Sequence, residues 1–523
     1  MRRFAPKPLT TGLAGRMPAL LVMVAAGASA QTVPDQPGND GGIPGRGFSI
    51  TPSFTASQTI TDNATLGTGD LKRSGTVTDL SPGLHVRSTG GRFTGFLDYT
   101  LDGLIYTNGL QSTQLLNSLN AAGTAEAIEN FAYVDVKATV AQQAISAFGT
   151  QSFDPTLQNG NRTEVGTYSL SPYVRGVLGG TANYEIRLTR SGTKSDDRAA
   201  GFDSTTTMGQ ASFSGGTAFS KLNWSFDASR VITSYGANGQ TQDTQGQVGL
   251  NYALTTDIKV SANGGYESEN LTGTSFQTGA TYGGGLEWHP TERTNFVGSI
   301  EHRLFGNSHV LRFEHRTPRT AFSISDTRDV VTGNGQPFAA SLGNAFDVFF
   351  QQFASQYPNP IQRQQVVLAF LQQNGISPSQ ALFANFLSNS VSLQHNQSVS
   401  FAWLGVRDTL TFLAARTEAT QLQSLSSGGD SFDQSTVIRQ IGFSADWSHR
   451  LTPQQSVNLT LQQQRTTGLS ADLGSTLRSV LVNWTNQLGP KTSVSLGARH
   501  AESRGKISPY YETALIGSLR IEF

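Results

Sequence analysis

The chain has 523 residues, 37% hydrophobic and 14% charged, and is poor in both core-forming and surface-charging residues for a set of soluble domains. Lys and Arg number 37, matched by 37 Asp and Glu, so no bulk charge points to nucleic acid or an anionic surface as partner. Cysteine is absent, which excludes disulfides, thiol nucleophiles and Cys-ligated metals.

Arg2, Arg3, Lys7 and Arg16 precede an apolar run from Ala19 to Ala28, and Ala28-Ser29-Ala30 supplies a small-residue cleavage site before Gln31. Residues 1–30 read as a secretory signal peptide, too short in its apolar part for a spanning helix. Residues 31–47, rich in Pro, Gly and Asp, read as a flexible lead-in. It is too short for a plug domain, which argues against a TonB-type transporter.

From Phe48 to Phe523, alternating segments of strand length recur between turn signals. Leu222, Trp224, Phe226 and Ala228 share one parity, as do Ile441, Phe443, Ala445 and Trp447, with polar or small residues interleaved. A thin apolar outer face, an uncharged polar inner face and regular turns suit a transmembrane barrel. Tight connections, such as Thr89 to Gly91 and Gly489 to Lys491, alternate with longer ones, such as Thr61 to Gly75 and Ile145 to Arg162. The expected fold is all-β: a single large antiparallel transmembrane β-barrel of about 22 strands, with 20 to 24 in range. Trp224, Trp288, Trp403, Trp447 and Trp484 all fall near short turns and are expected to form a periplasmic aromatic belt.

Two segments stand apart. In the hairpin from Phe296 to Arg316, apolar parity at Phe296, Ile300, Leu304, Leu311 and Phe313 puts Glu301, Arg303, Arg312, Glu314 and Arg316 in the lumen, either as a stiffening charge ladder or as a lining for a passenger. Residues 344–387 then break the period. Phe346, Phe349, Phe350, Phe353 and Tyr357 follow helical spacing, Asn359-Pro360 opens a second helix, and Ser377-Pro378-Ser379-Gln380 caps a third. This helical insert in an outer loop is either an external cap or a constriction folded into the lumen.

The C-terminal strand closes the pattern. Tyr511, Leu515, Leu519, Ile521 and Phe523 lie on one parity against Ser518, Arg520 and Glu522, as a final barrel strand read by the assembly machinery requires.

No catalytic, cofactor-binding or metal motif emerges. The eight histidines lack metal-ligand spacing and read as solvated or interfacial, and no GxSxG elbow or Walker loop is present. A triad assembled from neighbouring strands would be recognisable only by geometry, so a barrel hydrolase stays open as the alternative.

An ordered set of short stretches resembles the outer-membrane β-barrel family that accompanies PEP-CTERM/exosortase exopolysaccharide systems. They are Ile50-Thr51-Pro52-Ser53-Phe54 with Thr61-Asp62-Asn63, Leu80-Ser81-Pro82-Gly83, Leu97-Asp98-Tyr99, Gln142-Gln143 with Phe148-Gly149, Leu170-Ser171-Pro172-Tyr173, Trp288-His289-Pro290 with Arg293, Arg303-Leu304-Phe305-Gly306, and Arg328-Asp329-Val330. The resemblance implies a Gram-negative outer-membrane location and a non-enzymatic channel or scaffold in exopolysaccharide or PEP-CTERM protein export. Expected partners are outer-membrane lipid, the barrel-assembly machinery, and a polysaccharide or exported-protein passenger. No cofactor and no nucleic acid are expected.

Overall fold

The computed structural model describes residues 47–523 apart from 108–111, 155, 158, 197–200, 218, 236–238, 274, 333–345, 347–348, 351–352, 354–356, 358–359, 374–385, 425–428 and 508. The expected signal peptide, nearly all of the lead-in, and the helix expected at Ser377 lie outside the described residues.

Alternation of apolar and polar residues produces strands wherever it persists for ten residues or more. They are β1 Phe48–Thr61, β2 Gly75–Gly90, β3 Phe93–Tyr106, β4 Gln114–Ile128, β5 Ala132–Ala144, β6 Arg162–Leu178, β7 Ala182–Ser195 and β8 Ser204–Gly216. Next come β9 Leu222–Ser234, β10 Gln240–Ala253, β11 Ile258–Glu269, β12 Gln277–Thr291, β13 Thr294–Arg303, β14 Gly306–Arg316 and β15 Thr320–Val331. The last seven are β16 Val391–Leu404, β17 Asp408–Gln423, β18 Val437–Arg450, β19 Gln455–Thr467, β20 Gly474–Gly489, β21 Thr492–Gly505 and β22 Tyr510–Glu522. Each pairs antiparallel with the next. β22 also pairs with β1, from Ser53↔Glu522 to Thr61↔Ala514, so the 22-stranded sheet closes on itself without an edge.

Pairing fixes which residues share a face. On β22, Tyr511, Leu515 and Phe523 are about 60% exposed while the intervening Glu512 is fully buried, so the apolar parity points outward. Ile300, Leu311 and Ile324 continue that outward face around the wall. Leu304 departs from the expected pattern. It sits in the 304–305 turn between β13 and β14 and lies against Gly279, on the inward face shared with Glu267, because a tight turn frees its side chain from strand parity.

Connections at one end are short, as at 91–92, 179–181, 292–293 and 490–491, and Gly91 and Gly180 adopt φ of 75° and 74° there. The other end carries 62–74, 145–161, 332–390 and 424–436, with 304–305 as its one tight hairpin among those named. Within 332–390, α1 spans Pro360–Gln373; α2, Ser431–Gln434, lies in the 424–436 loop.

Candidate functional site

The long loops fold inward and cross the lumen. Loop 145–161 leaves the wall between β5 and β6, and its Ala147 amide donates to Ser431 Oγ at 2.9 Å, on the loop between β17 and β18 half the circumference away. It also descends: Asp154 pairs with Arg499, which points inward from the middle of β21. Tyr510 Oη donates to Gln151 O at 2.7 Å, and Tyr106 Oη to Thr156 O at 2.7 Å. Phe153 and Leu157 bury against Leu66, Leu477 and Tyr510, while Phe148 buries against Phe386, Phe432 and Ile438.

Arg499 is the hinge of this descent. Its guanidinium forks onto Glu512, Nε to Oε2 at 3.2 Å and Nη2 to Oε1 at 3.0 Å, while also holding Asp154. Burial pushes the Asp154 carboxyl upward, but Arg499 and the Thr156 donors outweigh it and hold the group below its ordinary value.

A second knot forms at Asp430, the N-cap of α2. Its carboxylate accepts from Ser388 Oγ and the Asn389 amide, both at 2.9 Å, from Ser390 Oγ at 3.2 Å and from the Phe432 amide at 3.1 Å. Asp433 returns the capping contact to the Asp430 amide at 3.0 Å. Asn389 reaches Gly201 O in the loop between β7 and β8, and the Leu387 amide donates to Ala144 O at 3.0 Å. Three loops and the end of β5 therefore meet around one buried carboxyl group. Burial raises that group above its ordinary value against the pull of its donors.

Beneath these crossings sits the helical insert. Phe346, Phe349 and Phe353 cluster with Val367, Leu368 and Leu371 of α1 and bury against inward Leu413 and Ala415 of β17. Leu404, the last residue of β16, also packs there. Phe346 stands 5.9 Å from the Phe96 ring near the start of β3, nine strands from β16 by the shorter way round. Of the two positions open from sequence, the insert takes the luminal one, reaching toward the short-turn end. An apolar stripe this small has no independent core, and the inner wall supplies its cover.

The hairpin charges share the inward face but do not form one cluster. Arg303 binds Glu267, Asp243 at 2.9 Å and Asp329 at 3.3 Å; Glu301 accepts from Gln245 at 3.0 Å. Arg312 and Glu314 stand further down the wall with no ion pair among the described residues, and Arg316 donates to Glu292 O at 3.0 Å. The acids around Arg303 come from β10, β11 and β15, and sequence order alone does not reveal them. The five tryptophans all face outward in the short-turn half, opposite Leu250, Phe296, Leu410, Leu459 and Leu496 respectively.

Two groupings escaped the sequence because they form only across strands. Inside the lumen, Ser53 Oγ lies 3.3 Å from His85 Nε2, and His85 Nδ1 lies 2.8 Å from Asp98 Oδ1. A Cβ at Gly83 would sit 2.5 Å from the Ser53 oxygen, so glycine there leaves room for it. Arg520 Nη2 approaches the same Nε2 at 3.2 Å. On the outer face, His309, Asp326 and His395 converge, a grouping that their spacing along the chain does not show.

No protein-family model and no curated protein matches the chain. Solved structures do. The FrpB iron transporter from Neisseria meningitidis (F3-3 variant) aligns at TM-score 0.46 and 10% identity over 91% of this chain and 81% of its own. The siderophore receptor PirA from Pseudomonas aeruginosa aligns at 0.43 and 9% over 91% and 80%, and PirA from Acinetobacter baumannii at 0.43 and 8% over 90% and 80%. The likeness is one of barrel architecture and carries no ligand with it.

Proposed function

We propose that this chain is a non-enzymatic outer-membrane barrel, exported with a cleaved signal peptide, which moves a surface polysaccharide or an exported protein through a lumen gated by its own loops. The observation that carries this reading is the manner of closure. Loops 145–161, 386–390 and 424–436 are joined across the lumen by the polar contacts at Asp430 and Ser431 and by small separate apolar clusters, and Asp154–Arg499 ties 145–161 to the wall at β21. A closure of that kind opens by breaking a few contacts, whereas a continuous core would not. The outward apolar face with tryptophans at the short-turn end supports a bilayer setting with that end toward the periplasm. The export role also rests on the family resemblance. Liposome swelling with graded oligosaccharides tests it: uptake that rises when 346–373 is excised supports passage, and impermeability of both forms would remove it.

The Ser53, His85 and Asp98 geometry favours one second reading, a luminal hydrolase. With the proton on Nδ1, His85 donates to Asp98 and its Nε2 lone pair is shared between Ser53 Oγ and Arg520 Nη2, so it serves as base for the serine only where Arg520 withdraws to Glu522. Labelling of the intact barrel by a fluorophosphonate, lost in Ser53→Ala, would favour the enzyme; absence of labelling favours the channel.

A further inference from the structure

The outward face at the long-loop end carries a constellation that neither passage nor closure uses. His309 on β14 and His395 on β16 both face the position of Arg328 across the ladder, and both reach down to Asp326 on the strand between them. Their Nε2 atoms lie 2.8 Å and 2.7 Å from one and the same Asp326 Oδ1, with the imidazoles nearly perpendicular at 81°. Gln397 Nε2 donates to the other carboxylate oxygen at 2.9 Å and fixes its plane. Three side chains on three neighbouring strands therefore aim at one point, and each is about one quarter to one third exposed.

We propose that His309, Asp326 and His395 bind a divalent transition-metal ion, of which Zn2+ is the best fit. Two imidazole nitrogens and one carboxylate oxygen are the donor set for zinc and its neighbours, with the remaining positions left to water or an outside ligand. With each donor about 2.0–2.2 Å from the metal, the nitrogens and the oxygen must move apart by a few tenths of an ångström, within reach of small side-chain rotations. Each imidazole enters neutral, with its proton on Nδ1, for which the described residues supply no hydrogen-bond partner.

The surroundings permit a cation. Arg328 lies across the ladder from both imidazoles, but its Nη1 reaches Asn307 O at 2.8 Å, two residues from His309 on the side away from Asp326, and Arg416 is paired with Glu418 at 3.1 Å. Ile300 pairs with His309 and Leu311 with Asp326, so the site stands at the edge of the apolar belt that Phe313 and Ile324 continue, and His302 and Asn307 form the next outward row toward the long-loop end. That row lies where an outward-facing side chain meets water and head groups.

The position also gives the ion a role. Asp326 and His395 lie on the two strands that flank loop 332–390, which carries the luminal insert, so an ion shared between them braces that strand pair within six residues of the loop.

Isothermal titration of ZnCl2 into the full-length folded barrel, prepared without a histidine tag, decides the matter. Saturable binding of one ion per chain is expected, weakened at least about tenfold in His309→Gln and in His395→Gln. Zn2+ should also raise the thermal midpoint of the wild-type barrel and leave both variants unmoved. The wild-type stoichiometry is read without any variant, so a variant that misfolds does not obscure the result. Absence of saturable binding in the wild-type chain would overturn the assignment, as would a folded, heat-modifiable variant that binds as the wild type does.

Discussion

At the scale of single residues, Arg499 carries more consequence than any group singled out by sequence order. It pairs with Glu512 on the adjacent strand and with Asp154 on the loop between β5 and β6. Arg499→Ala leaves two buried carboxylates unpaired and should destabilise the barrel by about 3–5 kcal/mol in a denaturant titration. Asp154 is held below the ordinary carboxylate value in the folded chain. Its contribution is therefore fully present above the unfolded value and lost as pH falls through the lower folded one. Conductance should rise on acidification through that range, and Asp154→Asn should remove the dependence. The wall makes a different demand. Leu459, outward opposite Trp447, should cost about 2–4 kcal/mol when replaced by Arg, whereas Gln247→Arg, inward beside Asn263 and Glu301, should cost far less. Equal penalties in folding titrations would mean the faces are misassigned.

At the scale of elements, strands were legible and loop destinations were not. The period of two at Leu222 to Ala228 or Ile441 to Trp447 reports facing directly, because a half-buried strand leaves no other stable register. The terminal strand was equally readable. Its pairing with β1 closes the sheet through Phe54↔Ile521 and Ala56↔Leu519, and the Phe523 amide donates to Pro52 O at 2.9 Å. Deleting Phe523 should sharply lower the heat-modifiable folded form; normal folded yield would count against the role given to that strand. The 145–161 connection reads as a polar loop, yet Phe148, Phe153 and Leu157 within it need cover, and that was the available signal. Its partners, Ile438, Leu477 and Tyr510, lie hundreds of residues away, and no local pattern encodes a contact of that separation. The same holds for Ser53, His85 and Asp98, which meet only because β1, β2 and β3 are in register. Since the chain has no cysteine, Ala147→Cys with Ser431→Cys offers a clean lock across the lumen. The oxidised pair should abolish opening events that return on reduction.

At the scale of the whole molecule, a closed 22-stranded barrel is wide enough to need filling, and here the filling comes from the same chain that builds the wall. Loop crossings hold the long-loop end through polar knots, and the Phe-rich insert leans on β17 and reaches β3 toward the other end. Loop 332–390 supplies both the insert and residues 388–390 of the Asp430 knot, whereas loop 145–161 belongs to the crossing alone, so excising 346–373 and shortening 145–161 release the two layers through different segments. Single-channel conductance in planar bilayers of the barrel with 346–373 excised and 145–161 replaced by a short turn should show large, stable open levels, against brief or absent openings in the intact chain. A doubly shortened barrel that remains folded by heat-modifiability and yet passes no more current than the intact one would contradict closure by these loops.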